Sequence, residues 1–244
     1  MQTSTGEQDA ARWLDAEDAM MRQVLAWGMG HDRAAALRLA AALGPWWILR
    51  GRLPSAYPLL AELAGYAEPG GDRWCTAQFW AGWAARFSSD LAGALRHFTA
   101  LRDAAGPGPS RALADALTGR AAALLELGKI PQGAEDARRS LALAREVGYP
   151  PGEVLALVML AGAAAGAGDA GEAVRLARQA DQVPGDIPPV MARSWPIPQA
   201  STWRMAASSA SSQRAASCSP VRVCTPAAAC SATPSAHPAS AAAA

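Results

Sequence analysis

One short phrase recurs at nearly even spacing along this chain. Gly51-Arg52-Leu53 leads to Ala56, Ser89-Asp90-Leu91 to Ala94, Gly128-Lys129-Ile130 to Ala134, and Gly168-Asp169-Ala170 to Ala173. The steps from Arg52 to Asp90 to Lys129 to Asp169 are 38 to 40 residues, a fixed period of the length that marks stacked helical units. Each phrase stands where an apolar helix stops at a small residue and a second, amphipathic helix begins, so it spells the tight turn of a helical hairpin. Stacked hairpins give a curved array with an extended surface for binding, and such arrays rarely carry chemistry of their own.

The punctuation between the phrases supports nine helices from Glu7 to about Val183. The first, near Asp9 to Met29, carries Trp13, Leu14, Met20, Met21, Val24, Leu25 and Trp27 as an apolar stripe. Asp32 is placed to cap the second, which Pro45 should kink or cut short. Pro54 opens the third, and Pro69-Gly70-Gly71 breaks it. Helices over Arg73 to Ser88 and Asp90 to Ala105 form the next hairpin, ended by Gly106-Pro107-Gly108-Pro109. Ser110 caps a helix that runs to Leu127 and stops at Gly128; Pro131 opens its partner, which ends before Gly148. Pro150-Pro151 begin the eighth, Gly168 ends it, and Asp169 caps the ninth. Leu127 and Leu160 are expected inside this array. No alternating β-branched run of strand length occurs, so the expected class is all-α.

Ala dominates the composition, Lys129 is the only lysine among 22 basic residues, and no Asn occurs, which suits a very GC-rich coding sequence. The net charge of +1 hides an asymmetry: all 21 acidic residues lie at or before Asp186, with 18 of the 22 basic ones, a balance of −3. That argues against direct nucleic-acid binding by the helical part. The polar start, Met1 to Glu7, has neither the basic nor the apolar segment of an export signal. The longest apolar run, Val154 to Ala167, is too short to span a bilayer and reads as a buried helix. Cys75 is alone in the helical part, and no disulfide framework is visible, so a cytoplasmic location is expected. Beyond Ile187 there is no Leu, Gly, Asp, Glu or Lys. The expected division is therefore a repeat domain over residues 8–183 and an Ala/Ser/Pro-rich, disordered tail over residues 184–244. Trp195, Trp203 and three cysteines are unusual in a linker and are what a shifted reading frame would give. Removing residues 190–244 is accordingly expected to leave melting unchanged.

Motifs that could carry chemistry are weak. Gly166-Ala167-Gly168-Asp169-Ala170-Gly171 spells G-x-G-x-x-G, but a dinucleotide site needs a strand before it, and here the string falls on a helical turn. Cys218, Cys224 and Cys230 stand six apart, with only His237 nearby, which does not match zinc-ligand spacing. His31 and His97 have no neighbouring nucleophile or paired carboxylate; His97, beside Phe98, reads as a half-buried packing residue. No catalytic residue, cofactor-binding residue or metal ligand is expected. The density of large aromatics between Trp46 and Phe98, interleaved with arginines, is more informative. Most of those rings should fill the space between stacked helices, while Trp with Arg also marks binding hot spots. The candidate partner or effector surface is Trp47, Arg50, Arg52, Trp80, Trp83 and Arg86, on the concave face.

The segment Trp13-Leu14-Asp15-Ala16-Glu17-Asp18-Ala19-Met20-Met21-Arg22-Gln23-Val24-Leu25-Ala26-Trp27, then Ala35-Ala36-Leu37-Arg38-Leu39-Ala40 and Trp46-Trp47-Ile48-Leu49-Arg50-Gly51-Arg52-Leu53, resembles the region after the ATPase and winged-helix modules of large bacterial LuxR-type and AfsR-type transcriptional regulators. Met20 and Ala19 depart from that family's acidic-Asn pair; the Trp-Trp and Arg-Gly-Arg-Leu portion fits. The later hairpins resemble tetratricopeptide repeats, which implies a right-handed superhelix of antiparallel helical hairpins. The resemblance implies a non-catalytic sensor or scaffold that receives a protein partner or small effector, and a fragment of a larger regulator. No G-x-x-x-x-G-K-[ST] phosphate loop and no basic recognition helix occur in the sequence. Two other readings stay open: a free-standing tetratricopeptide-like scaffold unrelated to transcription, and an enzyme built on an α-α superhelix.

Overall fold

The computed structural model describes residues 12–184, and these are helical almost throughout. A helical stretch over residues 12–16 leads into α1 (Asp18–His31). There follow α2 (Arg33–Leu49), α3 (Leu53–Tyr66), α4 (Asp72–Phe87), α5 (Leu91–Ala105), α6 (Arg111–Glu126), α7 (Ile130–Glu146), α8 (Pro150–Gly166) and α9 (Ala170–Asp181). No strand occurs among the described residues. The expected 184–244 tail, with its cysteines, lies outside them except for Pro184.

The recurring phrase is a helix stop and a helix start fused together. At each one the residue before the charged position has a positive φ: Gly51 at 65°, Ser89 at 63°, Gly128 at 72° and Gly168 at 82°. The next N–H then reaches back five residues to a helix carbonyl, Arg52 to Trp47 at 2.7 Å and Asp90 to Ala85, Lys129 to Leu124 and Asp169 to Ala164 at 2.9 Å each. This left-handed stop satisfies carbonyls that the ending helix leaves open. The same residue can start the following helix. The Asp90 carboxylate accepts from the Gly93 N–H at 2.8 Å, and that of Asp169 accepts from Glu172 at 3.0 Å. Asp32 and Ser110 cap α2 and α6 in the same way, at 2.9 and 3.1 Å.

Four residues past each turn lies a buried small residue: Ala56, Ala94, Gly133 and Ala173. Gly133, not its neighbour Ala134, holds the third place by spacing, although both are buried. Eight residues before each turn stand Gly44, Gly82, Ala121 and Ala161, which let the paired helices approach. A Cβ on Gly44 would meet the Trp80 ring at 2.5 Å, and one on Gly82 would meet the Phe98 ring at 2.7 Å. Phe98 is fully buried between Gly82 and Gly119, where a Cβ would fall 2.3 Å from it. The corresponding places in the later hairpins are Ala137 and Ala177. Bulky-on-glycine packing early in the array gives way to alanine-on-alanine packing later.

Each helix packs on the next, and α2, α4, α6 and α8 also touch one another in sequence. The other row, α3, α5, α7 and α9, has no comparable contacts within itself. The crowded row is therefore the inner, concave side of the array. α3 packs closely on α4 and only sparsely on α2, so the first hairpin is splayed. Pro45 does not end α2, which passes through it and continues to Leu49. Trp46, Trp47 and Ile48 beyond the proline are all buried, and their packing holds the last turn despite the hydrogen bond the proline cannot donate. Another difference concerns Leu127, which caps the end of α6 and is 43% exposed; Leu160 is buried at 9%. The apolar run of α8 is buried as expected. No helix among the described residues is long and apolar enough to cross a membrane.

Candidate functional site

The six residues singled out in the sequence separate into two groups. Trp47, Arg50 and Arg52 come together where the α2–α3 turn meets the N-terminal helix. Arg50 grips Asp15 through two bonds, Nη2 to Oδ2 at 2.5 Å and Nε to Oδ1 at 3.1 Å. Arg52 stands 3.0 Å from Asp18, 3.9 Å from Asp15, and over the Trp46 ring at 5.0 Å. Arg22 also pairs with Asp18. Asp18, Arg22, Leu25, Trp47, Arg52 and Ser55 line a cavity of about 300 Å³ between α1 and this turn. Both arginines are spent on internal carboxylates, so this cavity has little unbalanced charge to offer a ligand.

The second group sits on the inner row. Trp80 is 6% exposed and Trp83 fully buried, so these indoles are packing residues and not a contact surface. Trp47, also 6% exposed, is likewise core. Trp80 lies against Gly44 of α2 and edge-on to Phe79 at 5.2 Å; Trp83 lies edge-on to Phe98 at 5.3 Å. Arg86 covers the outer edge of this cluster, 5.4 Å from the Trp83 ring and 5.2 Å from Phe87. Its guanidinium pairs with Glu126 at the end of α6. Arg86, its side chain 11% exposed, thus joins with Phe87 and Glu126 the ends of α4 and α6, two successive helices of the inner row.

Neither histidine stands beside a nucleophile. His31 is exposed and stacks on Trp27 with centroids 4.5 Å apart. His97 holds its Nδ1 2.7 Å from Gln78 Oε1 and lies edge-on to Tyr57 at 6.0 Å; burial, then Arg96, keeps its pKa below the ordinary value. The Tyr57 hydroxyl donates to Asp90 at 3.1 Å, which ties α3 to the cap of α5. Cys75 is partly buried, and its thiol pKa is raised by burial and by Asp72. The G-x-G-x-x-G string forms the α8–α9 turn, with helices on both sides. Among the described residues no group of three or more His, Cys, Asp and Glu is arranged to hold a metal.

Two features went unread in the sequence. The first is Asp115 on α6, whose carboxyl is pushed up to about 7 by burial, against the pull of the Tyr149 hydroxyl and Arg111. Burial, then Asp115, raises the Tyr149 pKa in return, and Arg111 lies over its ring at 5.5 Å. The only sequence sign was an acid set in the Ala/Leu face of Arg111–Glu126. The second is a cleft of about 390 Å³ at the open end of the first hairpin, between the start of α2, the end of α3 and the start of α4. Leu37, Leu63 and Trp74 line it, with Tyr66 and the charged Arg33, Glu68, Asp72 and Arg73 around them. The splay between α2 and α3 opens it. Pro69-Gly70-Gly71 was legible as a breaker, but not as the rim of a cleft.

No family model matches the sequence, and no curated protein matches it. Among solved structures, the chain is similar to the nearly identical TPR-like repeats of a Podosopora anserina protein assigned as a kinesin light chain. The parent repeats give 17% identity over 74% of this chain and 93% of that one, with a TM-score of 0.49. A glutamine-to-methionine form of the same protein gives 17% identity over the same shares, with a TM-score of 0.50. At this identity the likeness concerns the fold alone, and it agrees with the geometry above: the chain is an all-α, tetratricopeptide-like array of stacked helical hairpins.

Proposed function

We propose that this chain is a non-catalytic helical-repeat module that binds a protein partner or small effector on its concave side, and that it derives from a bacterial transcriptional regulator of the LuxR/AfsR type. The observation that carries the binding half is the rim of Arg86, Phe87 and Glu126, which spans two hairpins on the inner row. Arg and aromatic side chains at the edge of a buried core are the residue types that dominate binding energy when a partner covers them. The regulatory half rests on the resemblance of residues 13–53. In that setting the array receives a signal, while a separate nucleotide-binding module and a winged helix act on it.

Two experiments test the two halves separately. Reading the coding sequence on both sides of the gene, in all frames, is expected to show a phosphate loop and winged helix upstream; a clean intergenic boundary with no continuation of repeats would overturn the regulatory origin. Affinity capture with the full chain and with Arg86→Glu is expected to recover a partner only with the parent. Equal recovery by both would remove the concave rim from the binding surface.

A further inference from the structure

The cleft at the open end of the first hairpin holds four charges that have not met. Arg33, Glu68, Asp72 and Arg73 line one space of about 390 Å³. All four are exposed, and none of them takes part in the ion pairs found among the described residues. Elsewhere among the described residues several arginines do pair with an acid, as Arg50 does with Asp15, Arg145 with Glu153 at 2.8 Å and Arg175 with Glu172 at 2.6 Å. Arg33 is held by the Tyr66 ring, 3.4 Å from its centroid, and Glu68 lies in the turn whose carbonyl accepts the Gly71 N–H at 3.1 Å. Asp72 and Arg73 open α4 behind Gly71, which offers no capping side chain.

The floor is apolar. Leu37, Leu63 and Trp74 are at most 9% exposed, and Tyr66, 52% exposed, forms the lip. The volume falls within the range of about 300 to 1,000 Å³ typical of small-molecule sites, which combine an apolar lining with a few charged groups that orient the ligand. A ligand bearing one charge would satisfy one pair of these side chains and face the other as a like charge. A ligand bearing both, on an apolar body, would satisfy all four.

We propose that this cleft binds a small zwitterion with an apolar side chain, of the α-amino-acid kind. Its carboxylate lies toward Arg33 and Arg73, its ammonium toward Glu68 and Asp72, and its side chain on Leu37, Leu63 and Trp74. The site depends on the splay of the first hairpin and not on any regulatory ancestry, so it stands or falls apart from the concave rim.

The test is calorimetric titration of the full chain with three probes of one shape: L-phenylalanine, 3-phenylpropionate, which lacks the ammonium, and 2-phenylethylamine, which lacks the carboxylate. L-phenylalanine is expected to bind saturably, and each single-charge analogue at least about tenfold more weakly. Arg73→Ala and Glu68→Gln, both at exposed positions, are expected to weaken L-phenylalanine by a similar factor with unchanged helix content and melting. Absence of saturable binding by L-phenylalanine would overturn the proposal. So would equal binding of L-phenylalanine and 3-phenylpropionate, or full binding in the folded Arg33→Ala, Arg73→Ala double variant.

Discussion

Asp115 shows how one side chain sets a pH response. Its folded carboxyl titrates near 7, above the ordinary 3.8, so the folded state holds the proton more tightly than the unfolded chain. The stability it contributes is complete below about pH 4 and is lost as pH rises toward 7. Asp115→Asn keeps the shape without the charge. The variant is expected to melt higher than the parent at pH 8, by an amount on the order of a few kcal/mol, with the gap closing toward pH 4. Melting curves that stay parallel from pH 4 to 8 would show that Asp115 is not the group responsible. Two leucines make a second contrast at this scale. Leu160→Asp places a charge in the core of α8 and is expected to cost on the order of 3 kcal/mol or more in urea unfolding. Leu127→Asp, at an exposed helix end, is expected to fall within about 0.5 kcal/mol of the parent. The sequence pattern treats these leucines alike, because apolar identity says nothing of whether a neighbouring helix covers them.

At the scale of the element, the hairpin turn was legible because its chemistry is local. Gly51, Gly128 and Gly168 supply positive φ without a Cβ, and the following residue stands at the N-cap position of the next helix, where Asp169 also caps with its side chain. Ser89 holds the same left-handed position with a Cβ, at φ 63°. Ser89→Gly is therefore expected to stabilise the second hairpin by about 0.5–1 kcal/mol, read as a higher urea midpoint with an unchanged slope; a lower midpoint would mean that the serine side chain is needed at the turn. The aromatic slot is the opposite case. Gly119→Ala would push a Cβ to 2.3 Å from Phe98 and is expected to cost about 1–3 kcal/mol by overpacking. Pairing it with Phe98→Leu should recover part of that loss, since the clash is with the ring. No pattern within α6 marks Gly119 as the wall of that slot, because its partner lies in α5.

Across the whole molecule, packing is uneven. α1 and the splayed first hairpin share less contact than the hairpins from α4 onward, where every helix packs on both neighbours. Native-state hydrogen exchange is accordingly expected to show the least protection in α1 and α2 and the most in α6 to α8. Uniform protection along the array would argue that the first hairpin is as tightly held as the rest. The ion pairs of Arg50 and Arg52 with Asp15 and Asp18 tie the N-terminal helical segments to the α2–α3 turn. In the sequence these arginines suggest an outward surface, because arginine beside tryptophan also marks binding hot spots.

What the sequence determined by itself is whatever depends on a residue and its chain neighbours. The period of the repeat, the left-handed stops, the caps at Asp32, Ser110 and Asp169, and the order of the helices from Arg33 to Asp181 all follow from turn chemistry and apolar spacing; the break at Glu17, between the helical stretch 12–16 and α1, does not. What only the tertiary structure decided is whatever depends on how helices stack. That includes the burial of Trp47, Trp80 and Trp83, the desolvation of Asp115, and the gathering of four charged side chains around one cleft. The physical reason is range: a turn is closed by hydrogen bonds a few residues apart, whereas burial and electrostatic environment are set by side chains a full repeat away, whose register no local pattern records.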